Sequence, residues 1–337
     1  MYNALVKRDS AYEGVFFVGV KTTRIFCRPT CPSKKPKPSH VEFFPSPREA
    51  LYAGYRPCKR CNPSEKVLKP PPLVQQLREV VEKSPTGKIG GEELRRMGID
   101  PSTARRQFKR YYGMTFNAYH RARRMGLALS EVRNGETVIG AQLDSGFESA
   151  SGFYEAFKNL FGTPPSKGAQ VGCLLSKWIE TPLGAMLAIA DDVGLHLLEF
   201  VDRRGLEREI LLLRKSQRVV VPGTNFILEK IESELHRYFD GTLTKFTVPV
   251  VVQGSPFEKS VWEQLRKIPS GETRSYSDIA EGAGSPKAVR AVGRANGRNR
   301  LAIIIPCHRV IRADGSLCGY GGGVWRKQWL LEHERKS

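Results

Sequence analysis

Hydrophobic and polar positions change their period along the chain, and these changes predict where helices and strands lie. A polar, proline-rich stretch at 62–72 precedes a segment, 73–81, whose apolar residues recur every three to four positions, as on one face of a helix. A second break, rich in glycine and proline, lies at 162–170. Beyond it, three apolar runs of strand length accompany two helical patterns; the runs are 183–192, 194–201 and 246–253, and the helices are 206–215 and 225–239. The sequence therefore predicts a helical region followed by a mixed α/β region.

The helical region contains an internal repeat. The pattern F-K-x-x-[YF]-G occurs at 108–113 and again 49 residues later at 157–162, and each copy follows a short turn. Two helix-turn-helix units joined by a long helix over 116–133 fit this arrangement. The candidate DNA contacts on the first unit are Arg105, Arg106, Lys109 and Arg110, and those on the second are Ser149, Ser151 and Lys158. A small helical bundle with a solvated basic face is the alternative, and the repeated turn and clustered arginines favour DNA.

Charge adds a second reason to expect DNA. The 337 residues carry a net charge of +20, which is distributed as +8 over 1–67, +6 over 68–170, −1 over 171–254 and +7 over 255–337. A regional surplus of this kind indicates polyanion-binding modules rather than a general solubility device. No apolar stretch is long enough to span a membrane and no signal peptide is visible, so we expect a cytoplasmic, nucleoid-associated protein without membrane partners.

Four of the seven cysteines form two close pairs, Cys27-x3-Cys31 and Cys58-x2-Cys61. In a reducing compartment this spacing predicts one tetrahedral Zn²⁺ site rather than disulfides. A purely structural zinc is the plain alternative. Basic residues surround the pairs, among them Arg28, and would face phosphate if they shared one surface.

The runs VKTTRIFCRPTC and YRPCKRCNP resemble the zinc domain of the bacterial Ada family of alkylation-response proteins. The resemblance implies that Cys27 is both a zinc ligand and the acceptor of a methyl group from a DNA phosphotriester. Zinc keeps sulfur as the thiolate, which is the nucleophilic form. Methylation would change the formal charge of the site from −2 to −1, which predicts tighter DNA binding after repair. The chain departs from its relatives at Arg24, where they typically carry glycine.

A second reactive-thiol candidate lies in the run IIIPCHRV, where Cys307 and His308 are adjacent. The apolar run predicts a buried strand with the thiol at its mouth. A lone Cys-His pair is usually incidental. Here, however, the segments 271–280, 285–299 and 306–334 strongly resemble O6-alkylguanine-DNA alkyltransferases, over about 171–334 in all.

That resemblance implies a reaction. Cys307 would accept the methyl group, His308 would deprotonate it through a water, and Glu334 would hold and stabilise His308. Asn299 would support the loop that carries Cys307. The thioether product has no visible route of reversal, so one molecule would repair one lesion at this site.

The same resemblance implies DNA contacts. Because O6 of guanine lies inside the duplex, the nucleotide must be flipped out. Tyr320 would donate to the departing guanine, Tyr276 would engage the phosphate of the flipped nucleotide, and Arg290 would fill the gap in the stack. We expect the helix that carries Arg290 to be capped by Ser285 and to begin at Pro286.

The helical region resembles an AraC-type DNA-binding domain, and the fold class expected is therefore multidomain α+β. It comprises a small zinc-bound α/β domain (1–66), an all-α paired helix-turn-helix domain (73–168), and an alkyltransferase with an α/β RNase H-like subdomain (171–252) and a helical, winged-helix-like active-site subdomain (255–335). The function expected is repair of O6-methylguanine, O4-methylthymine and methylphosphotriesters, coupled to transcription. The partners expected are double-stranded DNA and RNA polymerase, with the chain as a monomer. A regulator that only senses damage, and a zinc-stabilised DNA-binding protein without chemistry, are the alternatives.

Overall fold

The computed structural model describes most of the chain. The described residues are 1–9, 12, 16–44, 50, 53–61, 63, 71–87, 89–112, 114–201, 203, 205–214 and 219–336, without the side chains of Arg110, Tyr111 and Glu207. The described helices, α1 to α13 in chain order, are Tyr2–Lys7, Pro72–Lys83, Gly91–Arg96, Pro101–Tyr112, Phe116–Arg133, Val138–Asp144, Ala150–Phe161, Leu206–Arg214, Phe226–Phe239, Pro256–Arg266, Tyr276–Gly282, Val289–Gly297 and Val324–Glu334. The described strands, β1 to β10, are Phe17–Val20, Ile25–Cys27, Val41–Phe44, Arg56–Pro57, Cys173–Ile179, Met186–Ala190, Leu195–Phe200, Val219–Pro222, Arg274–Ser275 and Val310–Ile311.

The N-terminal module is a four-stranded sheet in the order β3-β1-β2-β4. Strands β1 and β2 form an antiparallel hairpin in which Val18 is paired with Cys27, so the first cysteine sits at the end of a strand. Strand β4 pairs in parallel with β2, and Cys58 follows it directly. The two cysteine pairs are therefore brought together because they flank neighbouring strands.

The helical region has the predicted repeat. The long helix α5 has the predicted bounds, and side-chain oxygens of Thr115, Thr137 and Ser149 accept backbone N–H groups at the starts of α5, α6 and α7. Each helix-turn-helix turn contains a glycine at φ 72°, Gly98 in one and Gly146 in the other. Left-handed backbone of this kind favours glycine, which explains the repeated turn signal in the sequence.

The next region is α/β, with a four-stranded sheet in the order β7-β6-β5-β8. The predicted strands at 183–192 and 194–201 and both predicted helices are confirmed. The predicted strand at 246–253 is wrong: this segment makes only an isolated bridge between Val250 and Leu195. Pro249 lacks the N–H that a ladder would need at the centre of this run, and only its carbonyl is used, by Leu195 N.

The C-terminal region is mainly helical, with the short parallel pair β9-β10 between the helices. The predicted buried strand before Cys307 is also wrong. Residues 302–304 form turns, Ile303 has φ 72°, and Cys307–Arg309 is a 3₁₀ helix. The run is buried, as its apolar character requires, but it is not extended.

Hydrophobic packing joins the modules. Aromatic residues Phe17, Phe26 and Tyr55 of the N-terminal module belong to the same buried cluster as the core of the C-terminal region. Helices α5 and α7 likewise share a cluster with Cys173 and Val221 of the second sheet. The segment 162–170, predicted as a break, contains a 3₁₀ helix, Pro165–Gln170, that packs against α5.

Within the described ranges, no helix combines the length and the apolarity needed to cross a bilayer.

Candidate functional site

The C-terminal site is organised around the Cys307 thiol. Cys307 is the first residue of the 3₁₀ helix and is 9% exposed. The amide of Asn299 donates to the carbonyl of Ile305 (2.8 Å) and to the sulfur of Cys307 (3.3 Å). Burial raises the pKa of the Cys307 thiol, and the hydrogen bond from Asn299 opposes this effect. Asn299 therefore bonds both to the backbone of the turn before Cys307 and to the Cys307 sulfur.

His308 and Glu334 form a buried pair beside the thiol. Nε2 of His308 lies 2.8 Å from Oε1 of Glu334 on helix α13. Burial lowers the pKa of His308, so its imidazole is neutral at pH 7 despite the adjacent carboxylate. Because the Glu334 carboxylate accepts a hydrogen bond from the N–H at Nε2 of His308, the unprotonated, basic ring nitrogen is Nδ1. Nδ1 is buried and has no hydrogen-bond partner among the described residues, so it can accept a proton delivered through water.

Two residues that sequence reasoning missed hold Glu334. Arg309 donates from Nε to Oε2 (2.8 Å) and from Nη2 to Oε1 (3.0 Å), and the hydroxyl of Tyr238 donates to Oε1 (2.7 Å). Burial alone would raise the pKa of Glu334, but the hydrogen bonds from His308 and Arg309 outweigh it and keep that pKa well below its ordinary value. Arg309 directly follows the Cys-His pair, which was the available signal, whereas Tyr238 lies 96 residues away in sequence.

Tyr320 supplies a hydrogen-bond donor with no protein acceptor among the described residues. Its hydroxyl is buried and unpartnered, and burial raises its pKa well above the ordinary value, so it remains protonated. The loop that carries it packs closely: a Cβ at Gly322 would lie 2.9 Å from the Phe200 ring and 3.0 Å from the Tyr320 ring. This loop therefore needs glycine beside Tyr320, as the GYGGG motif provides.

The predicted DNA-contacting residues lie on two neighbouring helices. Tyr276 begins α11, and its hydroxyl accepts a hydrogen bond from the Cys318 thiol (3.4 Å). Arg290 is exposed on the first turn of α12. The predicted cap of that helix is wrong: α12 begins at Val289 after Ala288, which makes no side-chain cap, and Ser285 and Pro286 precede the helix. The turn at 285–288, closed by the bond from Ala288 N to Ser285 O, displaces the helix start.

The N-terminal site is the four-cysteine cluster. The sulfurs of Cys27, Cys31, Cys58 and Cys61 all lie within 4.8 Å of one another. Those of Cys31 and Cys58 are 4.0 Å apart, close to the edge of about 3.8 Å that Zn–S bonds of ~2.3 Å give in a tetrahedron. An all-sulfur set of this size fits Zn²⁺, which is the cofactor that this cluster can bind.

Arg24 and Arg28 flank this cluster at different points. Arg24 closes the β1–β2 turn at φ 52°, and its guanidinium lies 5.2 Å from the centre of the Tyr55 ring. Left-handed backbone of this kind favours glycine, so an arginine here is held at a conformational cost. Arg28 is half-buried between the first two cysteines, and its carbonyl accepts the N–H of Cys31.

On the first helix-turn-helix unit, Arg105, Arg106 and Lys109 are exposed on α4. The side chain of Arg110 lies outside the described part of the chain. On the second unit, Ser149, Ser151 and Lys158 are exposed at the start and on the outer face of α7, whose inner face buries Phe153, Phe157 and Phe161. Both units therefore expose these polar and basic side chains and bury their phenylalanines, while Tyr154 of α7 is exposed.

Three family models match successive parts of the chain. They are the metal binding domain of Ada at 1–64, a helix-turn-helix domain at 94–170, and the 6-O-methylguanine DNA methyltransferase DNA binding domain at 256–336. Together with the buried Cys307 site, the last match puts the C-terminal region in the class of methylated-DNA–protein-cysteine methyltransferases.

Relatives extend this class to the whole chain. The Escherichia coli protein "Bifunctional transcriptional activator/DNA repair enzyme Ada" is 32% identical over all of this chain and 96% of its own length. The Salmonella typhimurium "Regulatory protein ada" is 32% identical over 98% of this chain and 94% of its own. The chain belongs to the Ada family.

Two solved structures resemble separate parts of the chain. The Mycobacterium tuberculosis O6-methylguanine methyltransferase is 39% identical, covers 48% of this chain and 93% of its own, and has a TM-score of 0.43. The DNA methyl phosphotriester repair domain of E. coli Ada is 42% identical, covers 19% of this chain and 70% of its own, and has a TM-score of 0.18.

Proposed function

We propose that this chain repairs methylated DNA by two irreversible transfers, to Cys307 from O6-methylguanine and O4-methylthymine, and to Cys27 from methylphosphotriesters. The second transfer switches on sequence-specific regulation of transcription. The observation that carries the first transfer is the buried thiol of Cys307 beside a neutral imidazole whose Nδ1 is unpartnered. Membership of the Ada family supports both transfers.

The proposed transfer to Cys307 uses only protein side chains and a water. His308 Nδ1 takes the thiol proton through a water, and the thiolate attacks the methyl carbon of the flipped base. The S–C bond forms as the C–O6 bond breaks, and the electron pair goes to O6. The hydroxyl of Tyr320 donates to the departing guanine, which finally takes up the proton released by the thiol. Glu334, held by Arg309 and Tyr238, stabilises the imidazolium in the interval.

At the N-terminal site, Cys27 is the acceptor that the surroundings favour. Cys31 and Cys58 are buried, whereas Cys27 and Cys61 are half-buried. A cavity of about 260 Å³ that Lys34 and Lys35 also line is bordered by Cys27, as by the buried Cys31 and Cys58, but not by Cys61. Cys27 is therefore the half-buried cysteine that faces this cavity. When bound, zinc keeps these sulfurs as thiolates at neutral pH. The Cys27 sulfur attacks the methyl carbon of the phosphotriester: the S–C bond forms as the methyl C–O bond breaks, and the electron pair leaves on the phosphate oxygen as an anionic phosphodiester.

The regulatory half of the proposal assigns the paired helix-turn-helix units to a promoter. Exposed Arg105, Arg106 and Lys109 on α4, and Arg110 beside them in sequence, would contact the major groove or its phosphates. Arg28 would add a phosphate contact in the zinc module, while Tyr276 and Arg290 would hold the flipped nucleotide and the gap it leaves. We also propose that RNA polymerase is a partner and that the chain is a monomer with a cytoplasmic, nucleoid-associated location. The proposed domain bounds are 1–66, 73–168, 171–252 and 255–335.

The experiment is intact-mass measurement after incubation with duplex DNA carrying either lesion. We expect one added methyl with O6-methylguanine DNA, abolished in Cys307→Ala, and one with methylphosphotriester DNA, abolished in Cys27→Ala. Each variant is the control for the other, because each should retain the unaffected transfer. No mass gain from either lesion would overturn the proposal and leave a regulator that only senses damage.

A further inference from the structure

Arg203 lies at the junction between the second sheet and the active-site region. Its side chain is 8% exposed and pairs with Glu199 of β7, with Nη1 2.6 Å from Oε2. The same Nη1 donates to the carbonyl of Asn299 (3.2 Å), and Nη2 donates to the carbonyl of Gly297 (2.7 Å). One guanidinium therefore connects β7 to two consecutive points of the C-terminal region.

Those two carbonyls belong to parts of the site with different tasks. Gly297 is the last residue of α12, the helix that begins beside Arg290, and its carbonyl is among those a helix leaves without an intrahelical partner. Asn299 starts the turn that ends at Cys307 and bonds to the nucleophile. A cation at a helix C-terminus is also favoured by the helix dipole. Arg203 thus ties the end of the DNA-facing helix to the start of the nucleophile turn.

Arg203 also lies against the loop that carries Tyr320. A Cβ at Gly321 would lie 2.7 Å from Nε of Arg203, so backbone and guanidinium are in close contact there. The neighbouring ion pair between Arg300 and Glu209 (2.5 Å) also joins the turn to the second sheet's region, but its partner lies on α8, not on the Tyr320 loop.

We propose that Arg203 is a positioning residue for methyl transfer, which holds α12, the Cys307 turn and the Tyr320 loop in one register. The proposal rests on the proposed transfer to Cys307. Its consequence is specific: loss of Arg203 disturbs the geometry of the reacting groups while the exposed DNA-contacting face of α12 remains.

The test measures single-turnover methyl transfer from O6-methylguanine duplex at increasing DNA concentration, with the full chain. Arg203→Met should lower the maximal rate constant by about tenfold or more, with the half-saturating DNA concentration within about twofold of wild type. Arg203→Lys keeps the charge but not the forked guanidinium, so its rate constant should lie between those of the wild type and Arg203→Met. Arg300→Met is the matched control, because it removes an ion pair that also joins the Cys307 turn to the region of the second sheet but does not reach the Tyr320 loop, and its rate should stay within about twofold of wild type.

The contrary outcomes are distinct. A wild-type rate in Arg203→Met, or a change in half-saturation alone, overturns the proposal. An equal fall in Arg300→Met also overturns it, because the effect would then follow from any lost ion pair at the junction. If Arg203→Met does not fold, the Arg203→Lys rate decides, and a wild-type value there refutes the positioning role. Failure of wild-type protein to transfer methyl refutes the proposed function instead.

Discussion

At the scale of single residues, the state of His308 sets the acid limit of repair. Burial lowers the pKa of His308 below the ordinary histidine value of about 6.5. At pH 6.5 most of the imidazole is therefore still neutral and able to accept a proton. We expect the rate of transfer to Cys307, at saturating DNA, to fall only below that pH. Rate measurements from pH 5 to 8 test this, with His308→Gln as a control that should be slow and lack the acid limb. A limb centred at or above 6.5 would contradict the assignment.

His308 and its partner Glu334 also make the stability of the fold pH-dependent. The pKa values of His308 and Glu334 both lie below their ordinary values in the folded protein. The unfolded chain therefore binds more protons than the folded chain as the pH falls through about 6.5 and then about 4.5, and stability declines in that direction. Repair activity and folding thus have the same dependence on acid, which is why the rate measurement needs a parallel check of folding.

Arg24 offers a separate test of backbone strain. Its φ of 52° favours glycine, while its guanidinium over Tyr55 favours arginine. Arg24→Ala removes the cation–π contact without relieving the backbone, whereas Arg24→Gly removes the contact and relieves it. We expect the glycine variant to be more stable than the alanine variant by about 1 kcal/mol. Urea titration of the zinc-loaded protein, with zinc release as the signal of unfolding, measures the difference in stability between the two variants. Equal midpoints would show that the turn is not strained.

At the scale of elements, local patterns were reliable where they agreed with long-range contacts. Helix α5 was predicted with its observed bounds as the connection between the two repeated units, and repeated glycines marked both helix-turn-helix turns. The prediction of a strand before Cys307 failed for a physical reason. The side chain of Asn299 takes the place of a neighbouring strand: its oxygen accepts a hydrogen bond from the N–H of Leu301, and its amide donates to the carbonyl of Ile305. The β-branched residues between them therefore form a turn. No local period encodes a side chain that bonds six residues ahead.

The geometry of the C-terminal site around Cys307 was likewise only partly predictable from the sequence. Cys307, His308, Glu334 and Asn299 were named from the resemblance and lie together as expected. Tyr238 and Arg203 come from distant segments and reach the site only through tertiary packing, so no motif in the sequence pointed to them.

Helix α4 supports a prediction about DNA binding. Lys109 is exposed on the same helix as Arg105 and Arg106, so it is placed to neutralise a phosphate. Lys109→Ala should weaken duplex binding and reduce the slope of log affinity against log salt by about 1. Titrations by fluorescence anisotropy at several salt concentrations measure the slope. Lys245→Ala removes the same charge from an exposed position in the neutral region 171–254 and should leave the slope unchanged. Equal slopes for both variants would show that Lys109 does not contact a phosphate.

At the scale of the whole molecule, the regional charge and the shared cores describe one arrangement. The three basic regions contain the zinc cluster, the helix-turn-helix units and the Cys307 site, and the neutral region is the sheet on which the others pack. Helices α2 and α4 also contact this sheet through Arg78, which pairs with Glu180 (3.6 Å), and Tyr112, whose ring meets Trp178 edge-on at 4.4 Å. The neutral region therefore acts as a scaffold, which explains why it lacks the charge surplus of its neighbours.

A shared core makes a prediction about cooperativity. Helix α5 approaches the second sheet so closely at Gly126 that a Cβ there would lie 3.1 Å from Val221 and 3.2 Å from the carbonyl of Pro222. We expect the helix-turn-helix and alkyltransferase regions to unfold in one calorimetric transition in the wild-type protein. Gly126→Leu would force the two apart, because overpacking a close contact costs about 1–3 kcal/mol, and should split that transition into two.

The matched control is Gly152→Ala, which lies inside α7 with only the Ser149 side chain nearby, so that substitution should raise helix stability by about 0.5–1 kcal/mol without splitting the transition. Two transitions in the wild-type protein would contradict the shared core, and so would a single transition in Gly126→Leu at the wild-type temperature. If the coupling holds, strain introduced in the promoter-reading module is transmitted to the sheet behind Cys307. Gly126→Leu should then also slow methyl transfer, although residue 126 is remote from that thiol in sequence.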